Sequence, residues 1–135
     1  MNNGRFATAL HILTLLEVNR GELLSSGFIA GSININPAVV RKEISNLRAL
    51  GFIESKEGKG GGYALGKPAN QIYLSAIYKA VNETPLLGRS NDPNPDCPVG
   101  KQINTHLKDL FDSADEIFLK QLGKITVHNF ARKFK

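Results

Sequence analysis

The chain has 135 residues, with 17 Lys and Arg against 12 Asp and Glu, a formal net charge of +5 and a pI near 9.5. This length fits one domain with its own hydrophobic core but is short for an enzyme with a deep cleft. The sequence contains no run of about 18 apolar residues of the kind that crosses a membrane, and its first residues lack the layout of a signal peptide. A single cysteine agrees with a reducing compartment. We therefore expect a cytoplasmic protein whose basic surface meets a polyanion, and no membrane partner.

The first predicted helix runs from about Arg5 to Asn19, where apolar residues recur at helical spacing. His11 falls inside this segment, and a packed or surface histidine is expected there because no second metal-binding residue type lies at helical spacing from it. Elsewhere, no Ser-His-Asp, paired-carboxylate or metal-ligand spacing rises above chance. The sequence predicts neither an enzyme nor a metal site.

Two further helices are predicted close together, joined by a tight turn. Ser25 or Ser26 provides the N-cap of the first, while Asn36 caps the second and Pro37 takes its first helical position. Gly51 is predicted to end this second helix in the left-handed conformation that glycine tolerates best. Its apolar stripe is predicted to consist of Val40, Ile44, Leu47 and Leu50. This arrangement is typical of a helix-turn-helix, although two packed helices also occur in many all-α cores.

The opposite side of the helix at 36–50 is predicted to face DNA, with its side chains on base edges or on flanking phosphates. The candidate contacts on this side are Asn36, Ala38, Val39, Arg41, Lys42, Ser45 and Arg48. One acidic residue, Glu43, is expected near this mostly basic surface.

A β-wing is predicted to follow, because alternating residues at 52–56 precede a glycine-rich turn and a return strand at 63–65. Lys56 and Lys59 supply positive charge at its tip, and Gly60 and Gly61 let the backbone approach a phosphate or the minor groove. A nucleotide-binding loop would instead need a helix directly after the glycines. Residues 1–83 are therefore predicted to form a winged helix-turn-helix headpiece.

An amphipathic helix is predicted near Leu74 to Val81, followed by a loop at 84–97 that ends in Cys97. At the start of the next helix, free amides favour a Cys97 thiolate, whereas Asp92 and Asp96 oppose it. Two interpretations stay open for Cys97. It is either a sensor of oxidants or electrophiles, or a small half-buried side chain at a helix start.

A long helix is predicted from Pro98 to about Lys124, with two apolar flanks. One flank is predicted to form the interface of a homodimer and contains Ile103, Leu107, Leu110, Ala114 and Ile117. The other flank contains Phe111, Phe118 and Leu122 and is expected to pack on its own domain. A monomeric bundle burying both flanks is the alternative. The tail after Thr126 is expected to form a short capped helix that packs across the dimer, so that residues 98–135 complete a single domain spanning 1–135.

The chain resembles the Rrf2 family of bacterial winged-helix transcription regulators over almost its whole length. The resemblance is carried by Arg5-Phe6-Ala7, Asn36-Pro37 leading to Arg41, the segment 47–53, Gly61-Gly62-Tyr63 and Cys97-Pro98-Val99-Gly100. It implies a mainly α fold with a small β-hairpin, in which a winged helix-turn-helix precedes a long C-terminal dimerisation helix. It also implies a homodimeric repressor that binds a palindromic site on double-stranded DNA, with Arg5 near a phosphate.

Two departures from the family pattern limit what the resemblance implies. Cluster-bearing members place three cysteines before the long helix, whereas this chain has Cys97 alone. An iron–sulfur cluster needs about three or four protein ligands, so no cofactor is expected. Glu57 also stands where many family wings carry arginine. The effector stays open between a thiol switch at Cys97, a small ligand near the dimer helix and a partner protein. A partner-controlled interaction module, with DNA binding secondary or lost, is the alternative function.

Overall fold

The computed structural model describes residues 4–82 and 84–134. In these residues the fold is mainly α-helical with one two-stranded antiparallel hairpin, which confirms the predicted fold class. The elements in chain order are α1 (Arg5–Val18), α2 (Ser26–Ile33), α3 (Pro37–Ala49), β1 (Ile53–Lys56), β2 (Gly62–Leu65), a short 3-10 helix (Ala69–Gln71), α4 (Leu74–Val81), α5 (Pro98–Leu122) and α6 (Val127–Ala131).

Helix α1 forms the centre of the core. Ile12 and Leu13 are fully buried, and the helix packs against α3, α4 and α6. Ile44 of α3 and Ile77 of α4 close the core from two sides. Each fully buried aliphatic side chain of this size contributes about 1.5–3 kcal/mol relative to exposure, so α1 is the main support of the headpiece.

The predicted caps of α2 and α3 are present. The Phe28 amide donates to the Ser25 hydroxyl over 3.1 Å, and the Ala38 amide donates to the Asn36 side-chain oxygen over 2.8 Å. Asn34 ends α2 in the left-handed conformation, with φ of 62°. Gly51 has φ of 84° and follows α3, as predicted. These local signals fix the short turn that places α3 against α2.

The prediction of the apolar stripe of α3 was wrong for one residue. Val40, Ile44 and Leu47 are buried, but Leu50 is 52% exposed because it is the C-terminal cap of α3. The chain turns away at Gly51, so the Leu50 side chain is left about half exposed.

The hairpin is held to the rest of the headpiece by a backbone pair. Ile53 lies opposite Leu65 and Lys56 opposite Gly62 in the two strands. Tyr63 of β2 also exchanges two backbone hydrogen bonds with Leu24, of 2.8 and 3.0 Å, in the segment that leads to α2. The hairpin is therefore joined to the segment before α2 by these bonds and to α3 by the chain itself.

The predicted position of the tail was wrong, although the capping of its helix was confirmed. The Thr126 hydroxyl accepts from the Asn129 amide, and the Asn129 side chain accepts from the Thr126 amide, forming a capping box. Val127 and Ala131 are buried, and α6 packs on α1 of the same chain instead of across a dimer. The backbone bond from Val127 to Ile72 fixes this docking.

Candidate nucleic-acid interface

Helix α3 presents a polar, basic face to solvent. The predicted contact residues Asn36, Ala38, Val39, Arg41, Lys42, Ser45 and Arg48 are all exposed on or just before this helix. At the positive end of the helix dipole, the Asn36 side chain accepts from the Ala38 amide, and the Val39 and Val40 amides donate to the Asn36 carbonyl oxygen. The face therefore combines direct hydrogen-bonding groups with positive charge, as DNA contact requires.

Glu43, expected near this basic surface, is buried on the other side of α3. Arg5 Nε lies 3.0 Å from Glu43 Oε1, and Arg5 Nη2 lies 3.4 Å from Oε2. The solvent-facing side of α3 consequently carries no acidic residue within the described part of the chain. Arg5, which the resemblance placed near a phosphate, uses its guanidinium in this ion pair.

Arg48 connects α3 to the wing. Its Nη1 donates to the Ser55 hydroxyl on β1 over 3.0 Å. This bond fixes the spacing between the recognition helix and the hairpin, the two elements predicted to enter neighbouring grooves. Arg48, one of the predicted contact residues, thus also links α3 to the hairpin.

The wing turn requires glycine at its centre. A Cβ at Gly61 would lie 2.1 Å from the Lys56 carbonyl oxygen, far inside van der Waals contact. The turn exposes Lys56 and Lys59, together with Glu57. Its backbone can come close to a polyanion, but the Glu57 carboxylate offsets part of the positive charge at the tip.

A sequence profile of the Rrf2 family, described as iron-dependent transcriptional regulators, matches residues 2–133. The chain belongs to the Rrf2 family. A relative from Bacillus subtilis, named as the HTH-type transcriptional regulator YwnA, is 38% identical to this chain. The match covers 96% of this chain and 100% of the relative. The match confirms the recognised family and the expectation of a regulator that is not an enzyme.

Solved structures agree with this Rrf2 fold. A transcriptional regulator from Lactobacillus plantarum superposes with a TM-score of 0.78 at 26% identity, covering 94% of this chain and 87% of its own. CymR, the global cysteine regulator of B. subtilis, superposes with a TM-score of 0.71 at 21% identity, covering 100% of this chain and 98% of its own. The second likeness concerns the fold alone.

The iron named in the Rrf2 family description does not fit the residues present in this chain. Cys97 is the only cysteine in the sequence. Within residues 4–82 and 84–134, no three His, Cys, Asp or Glu side chains form a group that could hold a metal ion. A cluster would need about three or four ligands, mostly thiolates.

Helix α5 of this Rrf2 protein has one flank on its own domain. Phe118 packs edge-to-face on Tyr78 of α4, with ring centroids 4.9 Å apart, and Leu122 packs against the core. On the other flank, Ile103, Leu110 and Ile117 are exposed, while Leu107 and Ala114 are half-buried. No described α5 residue is fully buried, so the monomeric bundle that buries both flanks is not formed.

Cys97 is the N-terminal cap residue of α5, and its thiol is exposed. The half-buried interpretation was therefore wrong. Backbone hydrogen bonds from Gly100 and Val99 lower the pKa of the Cys97 thiol below its ordinary value. The thiolate that these amides stabilise is the nucleophilic form of cysteine.

Sequence reasoning missed two features of this surface. The bond between Arg48 and Ser55 had no signal, because no periodicity relates α3 to β1. The burial of Glu43 did have a sequence signal, because Glu43 follows Val40 by three positions and so lies on the apolar stripe.

Among the described residues, no helix is both long and apolar enough to cross a membrane.

Proposed function

We propose that this Rrf2 protein is a homodimeric repressor that reads a roughly palindromic operator. In this proposal the N-terminal half of α3 enters the major groove, and the wing at 56–63 reaches the adjoining minor groove. The observation that carries it is the solvent-facing side of α3, which exposes Arg41, Lys42 and Arg48 while the one acidic residue of the helix, Glu43, is buried. Such a face attracts phosphates and leaves side chains free to read base edges.

Each residue then has a definite role on DNA. Arg41, Lys42, Ala38 and Ser45 face base edges or flanking phosphates, and Val39 contacts a thymine methyl group. Asn36, at the positive end of the α3 dipole, donates from its side-chain amide group to a phosphate. Lys56 and Lys59 follow the minor groove, where Gly60 and Gly61 allow close approach of the backbone.

The proposed dimer uses the exposed flank of α5. Ile103, Leu110 and Ile117 recur every seventh residue and are exposed in the single chain. An exposed apolar stripe at this spacing matches helix-to-helix packing, and a two-fold axis through it makes the interface isologous. The same axis places two α3 helices in successive major grooves about 34 Å apart. A dimer bound in this way would occlude RNA polymerase in the cytoplasm, where bacterial DNA lies.

The decisive experiment measures binding to the intergenic DNA upstream of the gene, against random DNA, at several salt concentrations. We expect wild type to prefer its site by about a thousandfold or more, and Arg41→Ala with Lys42→Ala to lose that preference. Lys101→Ala with Lys108→Ala removes two exposed cations of α5 and is the matched control. Equal binding by both double variants would contradict the proposal and favour the alternative, an interaction module whose DNA binding is secondary or lost.

Among the candidate regulators of DNA binding, the geometry best supports a thiol switch at Cys97. Its thiol is exposed, and the amides of α5 lower its pKa. Modification of the thiolate by an oxidant or electrophile would add a group at the start of the proposed dimer helix. Cys97→Ser should then stop release of DNA on oxidant treatment. An unchanged dose response in that variant would assign control to a ligand or partner protein instead.

A further inference from the structure

A cleft of about 420 Å³ lies beside the headpiece, on a different surface from the recognition face of α3. It is bounded by the end of α1, the following loop at 20–22, the base of the hairpin at 64–66, the segment 67–70 and His128 of α6. This volume lies within the range of small-molecule sites, about 300–1,000 Å³. Neither the DNA contacts nor the dimer flank uses it.

The cleft contains a buried carboxylate with an unsatisfied oxygen. The Glu17 side chain is only 7% exposed, and its Oε2 lies 3.2 Å from His128 Nδ1. Its Oε1 is buried and has no hydrogen-bond partner. Arg20 Nε lies 3.9 Å from this oxygen, which is close enough for Coulombic attraction but too far for a hydrogen bond. A buried acceptor without a donor costs free energy, so a ligand donor that reaches Oε1 would be stabilised there.

The charges around the cleft select the class of ligand. Glu17 and Glu22 are acidic, whereas Arg20 and Lys67 are basic. A simple anion would meet the buried carboxylate of Glu17, and a metal cation would meet two positive side chains. A zwitterion satisfies both signs at once.

Apolar groups complete the lining and give space for a hydrocarbon side chain. Leu16, Leu65 and Pro68 border the same cleft as the charged residues. Ligand pockets commonly combine such an apolar wall with a few placed polar groups that fix orientation. The Arg20 side chain is 78% exposed and free to move towards a bound carboxylate.

We infer that this cleft binds a free α-amino acid. The ammonium group donates to Glu17 Oε1, the carboxylate is held by Arg20 and Lys67, and the side chain lies against Leu65 and Pro68. The ligand thus supplies the donor that the buried oxygen lacks, and its carboxylate lies between the two cations.

Binding there would connect α1 to the base of the wing. The cleft includes the end of β2, and the backbone pair between Leu24 and Tyr63 ties the loop before α2 to the same strand. An amino acid bridging Glu17 and Lys67 would therefore restrain the hairpin relative to α1. Its effect on operator affinity rests on the proposed function, whereas the ligand site itself does not.

The test is isothermal titration calorimetry of the full chain, without DNA, against each common L-amino acid. For every amino acid that binds, two analogues are titrated: the acid without its ammonium group and the amine without its carboxylate. We expect at least one amino acid to bind, and both analogues to bind about tenfold more weakly or worse. Binding by none of the amino acids, or equal binding by the amine alone, would overturn the inference.

Variants locate the site. Glu17→Gln keeps the side-chain shape but removes the charge, and should weaken amino-acid binding about tenfold or more. Arg20→Ala alters a side chain that is 78% exposed, and should weaken binding of the amino acid but not binding of the amine analogue. Glu116→Gln on α5 lies outside the cleft and is the control.

The outcomes separate the ligand site from the DNA role. Circular dichroism tests whether each variant is folded. If Glu17→Gln does not fold, the affinity of Arg20→Ala alone tests the site. Identical affinities in wild type, Arg20→Ala and Glu116→Gln would overturn the site. Because the calorimetry contains no DNA, its result does not depend on whether the protein binds an operator.

Discussion

Glu43 and Arg5 form an ion pair on the buried side of helix α3. Arg5 Nε donates to Glu43 Oε1 over 3.0 Å, and the Glu43 side chain is only 5% exposed. Because a buried carboxylate is costly without a cationic partner, the pair fixes the start of α1 against α3. It also keeps the only acidic residue of α3 away from the solvent-facing side of the helix.

Arg5→Ala should lower the free energy of unfolding by about 1–3 kcal/mol. This is below the loss typical of fully buried pairs, since solvent already reaches part of Arg5 and can hydrate the Glu43 carboxylate once the guanidinium is removed. Urea unfolding followed by circular dichroism measures the change. Arg89→Ala, in an exposed loop segment, is the control and should change stability by no more than about 0.5 kcal/mol. Equal losses in the two variants would show that the ion pair adds nothing.

Glu57→Arg should strengthen DNA binding. Glu57 is exposed in the wing turn beside Lys56, where its charge repels phosphates. The substitution should raise affinity about threefold to tenfold, and each new phosphate contact should steepen the plot of log affinity against log salt by about 0.9. Fluorescence anisotropy over a salt series gives both quantities.

Glu57→Gln separates the two contributions to this effect. It removes the repulsion without adding a cation, so its affinity should fall between those of wild type and Glu57→Arg. Unchanged affinity in both variants would mean that the wing tip does not approach DNA.

The local signals of the headpiece were readable from sequence. Ser25, Asn36 and Gly51 act within one or two helical turns, and each occupies the predicted role. Such caps depend on neighbouring backbone groups, so a single sequence contains the necessary information. The candidate contact face of α3 follows from the same local geometry, and its role on DNA stays a prediction.

The long-range contacts were not readable in this way. The tail helix has an apolar side that fits either a partner or its own chain, and the surface that buries Val127 lies on α1, more than a hundred residues earlier. The cleft around Glu17 and His128 likewise unites residues 111 positions apart. Periodicity describes one element at a time and does not say which surfaces meet.

Ile117→Glu should dissociate the proposed dimer without unfolding the chain. Ile117 is 69% exposed in the single chain, so a carboxylate there is hydrated in a monomer. In a symmetric interface the substitution buries two negative charges and removes two apolar contacts, which should weaken dimerisation about thirtyfold or more. Sedimentation velocity over a concentration series measures the change.

Thr105→Glu is the matched control for the dimer test. Thr105 is exposed on α5 and lies two positions from Ile103, on the side of the helix away from the stripe. This variant should sediment as wild type does. Equal dissociation by both variants would place the interface elsewhere, and a wild-type monomer at all concentrations would contradict the homodimer.

The Cys97 thiol should react with iodoacetamide at lower pH than an ordinary cysteine. Backbone bonds from Gly100 and Val99 favour the thiolate, so the pKa of Cys97 is lowered. Only the thiolate reacts, and the alkylation rate should therefore reach half its maximum below pH of about 8.5, the value for free cysteine. The same chain in concentrated urea loses the α5 amides and is the reference. Coincident pH profiles for folded and unfolded protein would show that the helix start does not activate this thiol, and would remove the main support for sensing at Cys97.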